Sequence, residues 1–247
     1  TLIDGLQPQY GRTFEVARAY RFLKGSGLPL RIPVIDMVEI GAGGGSIARV
    51  DELKRINVGP DSAGSDPGPA CYAAGGTEPT VTDGDLVLGR IDPTNFAGGK
   101  IVLDAAAAQK AVADNIASAL GMDDATAAAG IAEIVDENMA SAARVHAVEN
   151  GKDTAGRTLI AFGGAAPLHA ARLAEKLGID RVIVPKGAGV GSAYGFLRAP
   201  IGYEVVRTRL VRLQTFEPHV LNDLFSEMRA EAEAVVRLGA PDEELVE

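Results

Sequence analysis

Alternating strand and helix patterns between residues 158 and 213 constrain the fold of this chain more than any other feature of its sequence. Thr158–Phe162 has the apolar and β-branched residues of a strand, Ala165–Leu177 has helical spacing, and Val182–Val184 predicts a second strand. A short helix over Val190–Leu197 and a strand over Val205–Leu213 are expected to follow. This order favours a parallel α/β core with right-handed crossovers.

Two alanine-rich segments precede this alternation and predict helices. Asp104 is expected to cap a helix that runs to Leu120, and Asp123 one that runs to about Asn150, because each carboxylate can accept amide protons of a first helical turn. A glycine follows each segment at the position where helices commonly end. In the second helix, apolar residues at helical spacing predict a buried face: Ile131, Ile134, Val135, Met139 and Ala142.

The first hundred residues have a different texture. Residues 1–24 predict two strands about a polar turn, and residues 28–103 combine Gly, Pro and Asp turn signals with short apolar runs. We interpret the second segment as a loop-rich, strand-rich insertion with strands at Ile32–Ile35, Ile47–Val50, Val81 and Leu86–Leu88. At the other end of the chain, a helix is expected from about Phe216 to Leu238.

Composition and charge limit the possible partners. The 247 residues carry a formal net charge of -9 and no run rich in Lys or Arg, so nucleic acid is not an expected partner, since binding phosphates needs a basic face. The single cysteine, Cys71, leaves no internal disulfide and no cysteine cluster for zinc. No apolar stretch reaches the roughly 20 residues that span a bilayer. We therefore expect a cytoplasmic protein without a membrane partner.

The first of three glycine-rich turns lies at Gly41–Ser46, after an apolar run. A dinucleotide-binding fingerprint needs a helix directly after its glycines, whereas Ile47–Asp51 has strand character. A hairpin whose loop allows close approach is therefore expected, and a structural turn and a functional loop stand as equal alternatives. Its candidate ligand-binding residues are Gly43, Gly44, Gly45 and Ser46.

The second and third turns each lie between a predicted strand and a predicted helix. At Phe162–Pro167, two glycines allow close backbone approach, and the helix N-terminus offers unpaired amide protons and a positive dipole end. The glycine spacing of Gly187–Ser192 fits a phosphate-binding turn, and Glu204 leaves a Rossmann-type interpretation open. A purely structural turn is the alternative for Phe162–Pro167, while the absence of a six-strand doubly wound pattern and the early stop at Pro200 argue against the Rossmann-type interpretation. The candidate residues are Gly163, Gly164, Ala165, Gly187, Gly189, Gly191 and Ser192.

Four side chains are candidates for catalysis. Asp36 and Glu39 flank the first turn and are placed to act as an acid/base pair. Asp83 is predicted to end a strand, where it can orient a water or bind a metal, although Asp-Gly-Asp is also ordinary turn chemistry. His169 lies one turn into the helix after the second glycine turn, near any ligand there, and packing between helices is its alternative role. For Cys71 a buried, inert thiol is favoured.

Several motifs in the same order resemble the hydantoinase A/oxoprolinase family. The similarity extends over most of residues 14–210. The matching segments are Ile40–Ala48, Val58–Gly64, Pro67–Tyr72, Pro79–Asp83, Leu86–Arg90 and Phe162–Ala170.

The resemblance implies an RNase H-like, actin- and sugar-kinase-like α/β lobe that uses ATP and Mg. Residues 1–27 would begin the lobe, 28–103 would be the glycine-rich insertion, 104–215 the helices and α/β core, and 216–247 a C-terminal helix and tail. In such enzymes ATP phosphorylates the oxygen of a lactam, hydantoin or ketone, and a second, hydantoinase B-like subunit completes hydrolysis or carboxylation. Gly163 and Gly164 match the adenosine side of the nucleotide site.

The sequence departs from the family pattern in one respect. Members carry Asp-x-Gly-Gly-Thr phosphate loops upstream of the segment that Thr1–Asp4 resembles, and neither loop occurs in this sequence. We therefore expect the chain to be a C-terminal fragment that needs the N-terminal half of its polypeptide and, by itself, binds ATP weakly or not at all. A ketone carboxylase subunit, an NAD-dependent oxidoreductase built on Gly187–Ser192, and a non-catalytic actin-like interaction fragment are the alternatives.

Overall fold

The computed structural model describes residues 1–16, 19, 25–32, 34–212, 214 and 217–240. Within them lie the strands β1 (Ile3–Asp4), β2 (Gln7–Pro8), β3 (Tyr10–Gly11), β4 (Phe14–Val16), β5 (Leu28–Leu30), β6 (Val34–Ile35), β7 (Ser46–Val50), β8 (Ile56–Ser62), β9 (Thr158–Ile160) and β10 (Arg181–Ile183). The helices are α1 (Val81–Val87), α2 (Ala105–Val112), α3 (Ser118–Leu120), α4 (Asp124–Glu149), α5 (Ala166–Leu177), α6 (Gly191–Arg198) and α7 (Pro218–Val236).

The chain divides into two compact units, Thr1–Gly191 and Ser192–Glu247. The main core of the first unit lies between α1, α2, α4 and the antiparallel pair β7–β8. A Cβ placed on Gly84 would lie at an ordinary contact distance, 3.5 Å, from the Ile131 side chain, so α1 packs directly on α4 at this position. The buried residues of this core are Ala48, Val58, Val81, Val112, Ile116, Ala117, Ala127, Ala128, Ile131 and Val135.

The predicted caps at the starts of α2 and α4 are confirmed. The Asp104 carboxylate accepts a hydrogen bond from the Ala107 amide, and the Asp123 carboxylate accepts one from the Thr126 amide, both at 2.9 Å. A turn of π-helix over Ala113–Ala117 joins α2 to α3. Because these helix starts and ends depend on local hydrogen bonds, the sequence predicts them well.

The strands predicted at Val81 and Leu86–Leu88 are wrong. Thr80 and Asp83 form a reciprocal capping box that begins α1, and all residues from Val81 to Leu86 are buried. A short segment that is buried on every side has no helical hydrophobic stripe, so the apolar run resembles a buried strand.

Two further strand predictions also need correction. Residues 205–212 form no strand, and Leu213 lies outside the described residues. Alternating side chains are not sufficient for a strand, which also needs a neighbour to pair with. In residues 1–16 the structure has four short strands rather than the start of two: β1 pairs with β2, β3 with β6 and β4 with β5, all antiparallel. The rest of the predicted strand to Phe22, except Ala19, lies outside the described residues.

The predicted α/β alternation is confirmed between residues 158 and 183. Strands β9 and β10 are parallel, with Thr158 opposite Arg181 and Ile160 opposite Ile183, and α5 connects them. Helix α5 packs on α4 through a cluster of Ala140, Ala174, Leu177 and Ile179. Among the described residues β9 and β10 pair only with each other, so the larger sheet of an RNase H-like lobe stays a prediction.

The second unit contains the predicted C-terminal helix. Helix α7 begins at Pro218, while Phe216 lies outside the described residues. Within this unit Gly239 lies against Ile201, since a Cβ on the glycine would be 2.7 Å from the isoleucine Cδ1 atom. Among the helices that the structure describes, none combines the length and apolar character required to cross a bilayer.

We expect Ile131→Ala to lower the free energy of unfolding by about 2 to 5 kcal/mol, because it opens a cavity in the main core. Ile131 is fully buried. Val148→Ala, on the same helix with a residue that is 74% exposed, is the matched control and should change little. Urea unfolding measures both, and equal losses would contradict the assignment of the core.

Candidate ligand-binding site at three glycine-rich turns

The second and third glycine turns lie side by side. The Gly163 amide donates a hydrogen bond of 2.7 Å to the Ala188 carbonyl. A Cβ on Gly191 would lie 3.1 Å from the Phe162 ring, so this glycine lets the third turn approach the second. The two turns are close because each follows the carboxyl end of one strand, and in the parallel pair β9–β10 these ends lie side by side.

The first turn lies against the second. A Cβ on Gly44 would lie 2.7 Å from the Thr82 Oγ1 atom and 3.7 Å from the Ala165 Cβ atom. The Gly44 carbonyl accepts hydrogen bonds from the Thr82 amide at 2.8 Å and from the Thr82 hydroxyl at 2.9 Å. The N-terminal turn of α1 therefore holds the first turn in place, a role for Thr82 that the sequence did not suggest.

Hydrogen bonds inside the first turn fix its shape. The buried Ser46 hydroxyl accepts from the Gly43 amide at 3.0 Å and donates to the Gly41 carbonyl at 3.4 Å. Gly59 has a φ of +68°, and a Cβ there would lie 2.3 Å from the Gly41 carbonyl oxygen. In this structure Ser46 therefore supports the loop from within rather than facing open space.

Open space beside all three turns leaves room for a ligand at the second. Cβ atoms on Gly43, Gly164 and Gly189 would meet nothing within 4 Å, while Gly163 has a φ of +108° that requires glycine. In the part of the chain that the structure describes, the amides of Gly164 and Ala165 have no acceptor. These amides lie at the N-terminus of α5, the positive end of its dipole. The arrangement suits an anionic or polar ligand.

Asp83 is wholly buried and its carboxylate is fully hydrogen-bonded. One oxygen accepts from the Thr80 amide and hydroxyl, both at 2.8 Å, and from the Ala70 amide at 3.2 Å. The other accepts from the Cys71 amide at 2.8 Å. Asp83 thus joins the start of α1 to the turn Ala70–Tyr72. Burial, then the charge of Asp83, raises the pKa of the Cys71 thiol, in keeping with the inert thiol expected there.

His169 lies in a buried ionic network between three helices. Its Nδ1 atom is 2.8 Å from an Asp136 oxygen of α4, and its Nε2 atom is 3.0 Å from an Asp85 oxygen of α1. The other Asp85 oxygen accepts from Arg90 at 3.0 Å. Burial opposes the charged form of the histidine, but the hydrogen bonds and charges of Asp136 and Asp85 outweigh it and raise the pKa of His169 to about 9.

The two carboxylates that face His169 were not predicted from the sequence. They lie 33 and 84 positions away from it along the chain, so no local pattern connects them. One signal was available: Asp136 lies on the apolar face of α4, four residues from the buried Ala132 and four from the buried Ala140. A charged residue on such a face needs a buried partner.

Asp36 and Glu39 lie along a different groove. This groove has a volume of about 1120 Å³ and is lined mainly by residues 9–16 and 34–41. The Asp36 amide donates to the Gln9 carbonyl at 2.7 Å. The groove reaches Gly41 but not the second or third glycine turn. Asp36 and Glu39 are therefore close to the first turn along the chain but do not line a common groove with the other two turns. Their acid/base role stays a prediction, as do the catalytic roles of Asp83 and His169.

Comparison with known proteins defines the family. A model described as Hydantoinase/oxoprolinase matches residues 8–205. The chain therefore belongs to the hydantoinase/oxoprolinase family, as its motifs predicted.

Three relatives place the chain within that family. It is 43% identical to caprolactamase subunit alpha of Pseudomonas jessenii over 74% of its own length and 26% of the relative. It is 47% identical to the acetophenone carboxylase gamma subunit of Aromatoleum aromaticum over 67% of its own length and 22% of that relative. A nucleotide-free structure of acetone carboxylase, from work on ATP-dependent acetone carboxylation, matches with a TM-score of 0.78 at 29% identity, covering 96% of this chain and 34% of that one. The chain thus spans about a third or less of each, and the last match supports the predicted α/β fold class.

We expect Asp83→Ala to destabilise the first unit by about 3 kcal/mol, since it leaves several buried donors without an acceptor. Asp61→Ala is the matched control, because Asp61 forms an ion pair at the surface with Arg49 and its loss should cost at most about 1 kcal/mol. Thermal and urea unfolding measure both variants. Equal effects would show that the buried carboxylate is not needed.

We expect the stability that His169 provides to depend on pH. Its pKa is about 9 in the folded protein against an ordinary value of 6.5. The contribution, at most a few kcal/mol, is therefore complete below pH 6.5 and is lost as the pH rises through 9. The difference in unfolding free energy between the wild type and His169→Gln should shrink over this range. His219→Gln, at a side chain that is 68% exposed, is the matched control and should change the unfolding free energy little. A flat difference for His169→Gln would contradict the raised pKa.

Proposed function

We propose that this chain forms part of the nucleotide site of an ATP-dependent hydrolase that opens the C–N bond of cyclic amides. The observation that supports this most is the convergence of three glycine-rich turns around the unpaired amides of Gly164 and Ala165. One relative is named a caprolactamase, and this name, which refers to a lactam, supports cyclic amides as the substrate class.

The site suits activation of an oxygen atom by phosphorylation. An amide oxygen is a poor leaving group, and ATP supplies the phosphoryl group that makes it a good one. Phosphoryl transfer depends on positioning and electrostatics rather than on covalent chemistry by the protein. The turn at Gly163 and Gly164 would hold the adenosine side of the nucleotide, where the absence of side chains allows a flat ring to approach the backbone. Ring opening would follow on a second, hydantoinase B-like subunit.

The described residues offer no metal site built from protein side chains alone, although Mg²⁺ bound to a nucleotide commonly needs only one or two carboxylates beside the phosphates. Among the described residues, no group of three or more His, Cys, Asp or Glu side chains is placed to hold a metal ion. We therefore assign no step to a metal bound by this part of the chain.

A ketone carboxylase subunit is the second candidate. The similarity to the acetone carboxylase structure covers nearly all of this chain. Both chemistries begin by activating an oxygen atom, so the same turns would serve either one. Because the caprolactamase and acetophenone carboxylase relatives are named as subunits, we propose that the functional assembly includes the rest of the polypeptide and a second subunit.

Gly164→Val tests the nucleotide site. The new side chain meets no protein atom at its Cβ, so the protein should stay folded. It would occupy the space where the nucleotide approaches the backbone and should raise the KM for ATP roughly tenfold or more. The measurement is ATP-dependent turnover of the full-length polypeptide with its partner subunit, on a lactam, on a hydantoin, and on a ketone with bicarbonate.

Gly202→Val is the matched control, because it also meets nothing within 4 Å and lies outside the three turns. It should leave the KM for ATP unchanged. If Gly164→Val stays folded and its ATP dependence matches the wild type, the nucleotide assignment is wrong. Fluorescence titration compares the affinities for NADH and ATP, and tighter binding of NADH would favour an NAD-dependent oxidoreductase. If none of the substrates is turned over, a non-catalytic interaction fragment is favoured.

A further inference from the structure

The buried network around His169 connects the helices that hold two of the glycine turns. His169 belongs to α5, which begins directly after the second turn. Asp85 belongs to α1, one helical turn after Thr82, which holds the first turn through the Gly44 carbonyl. Asp136 attaches α5 to α4 through its contact with His169. A continuous series of contacts therefore runs from the first turn through α1 and His169 to the second.

Geometry fixes the charge of this network. Both ring nitrogens of His169 face carboxylate oxygens, at 2.8 and 3.0 Å. A neutral imidazole has one N–H group and can satisfy only one of them, whereas an imidazolium donates to both. With Arg90 paired to Asp85, two positive and two negative groups balance. The imidazolium therefore makes the burial of both aspartates possible.

Stability alone does not account for such a network. Apolar contacts already hold α5 on α4, through Ala140, Ala174 and Leu177. Buried ion pairs commonly add little net stability compared with apolar residues of the same volume. They do impose direction, because a hydrogen bond weakens steeply when its angle or length changes. Three helices joined at one imidazolium have little freedom to slide past one another.

We propose that His169 is a positioning residue that sets the separation of the first and second glycine turns, and with it the width of the nucleotide site. The inference rests on the proposed function. His169 is 2% exposed and acts through α5 and α1, without touching the nucleotide. Loss of its charge would let α5 and the unpaired amides at its N-terminus move relative to Gly44.

The groups that face His169 are Asp136 from α4 and Asp85 from α1, with Arg90 beyond Asp85. Surface ion pairs also join α4 to α5. Hydrogen bonds to Lys176 lower the pKa of Glu133 and of Glu137, and hydrogen bonds to these two carboxylates raise the pKa of Lys176. Those groups keep their charges at neutral and mildly alkaline pH. A change in nucleotide binding that appears as the pH rises towards 9 and disappears in His169→Gln is therefore assigned to His169.

The test uses the full-length polypeptide with its partner subunit and follows ATP-dependent turnover across this pH range. In the wild type the KM for ATP should rise as the pH passes through 9, with a smaller change in kcat. His169→Gln should raise the KM roughly tenfold to a hundredfold at neutral pH, as expected when a binding group is misplaced by about 1 Å, and should remove the pH dependence. The exposed His219→Gln is the matched control and should leave both unchanged.

A second variant separates positioning from folding. In the double variant His169→Gln with Asp136→Asn, the amide introduced at position 169 can donate to Asp85 and accept from the amide introduced at position 136. The network is then again hydrogen-bonded and electrically balanced. This double variant should recover both thermal stability and most of the wild-type affinity for ATP, without the pH dependence.

Failure of the inference about His169 can be distinguished from failure of the proposed function. If the wild type uses ATP, and folded His169→Gln has the KM and pH profile of the wild type, His169 has only a structural role and the inference is overturned. If the wild type neither binds nor turns over ATP at any pH, the proposed function fails and the inference falls with it.

Discussion

Burial of polar side chains on the short helix α1 is the constraint on which the rest of the first unit depends. Thr82, Asp83 and Asp85 all lie inside the protein, where an unpaired hydroxyl or carboxylate is strongly unfavourable. Each therefore has its own fixed partners: the Gly44 carbonyl, the amides of the turn at Ala70–Tyr72, and the His169 ring. One short helix thus holds three other segments in place.

This arrangement combines a rigid frame with an accessible surface. The polar side chains of α1 are hydrogen-bonded and buried, while the backbone at Gly164 and Gly189 has open space around it. A ligand that binds the open turns would meet amides whose positions are set by contacts on the far side of the helices. Such pre-organised donors bind without first having to be ordered.

The same frame is compatible with more than one reaction. Opening a lactam and carboxylating a ketone differ in the bonds they change, but both can begin with transfer of a phosphoryl group to an oxygen atom. Under the proposed function, a site made largely of glycine backbone would contact the common part of these reactions, the nucleotide. The family relationship to a caprolactamase subunit and to an acetophenone carboxylase subunit agrees with a shared nucleotide site and different substrate-binding surroundings.

The sequence by itself determined the features that depend on neighbouring residues. The caps at Asp104 and Asp123, the extent of α4, the parallel pair β9–β10 and the family motifs all follow from short-range patterns. The tertiary structure alone decided that α1 is a helix, since burial on every side removes the periodicity that marks a helix in a sequence. It also decided that the Gly41–Ser46 loop meets the second turn, and that His169 lies between two aspartates. Those contacts join residues that are far apart along the chain, and only the packing of α1, α4 and α5 brings them within hydrogen-bonding distance.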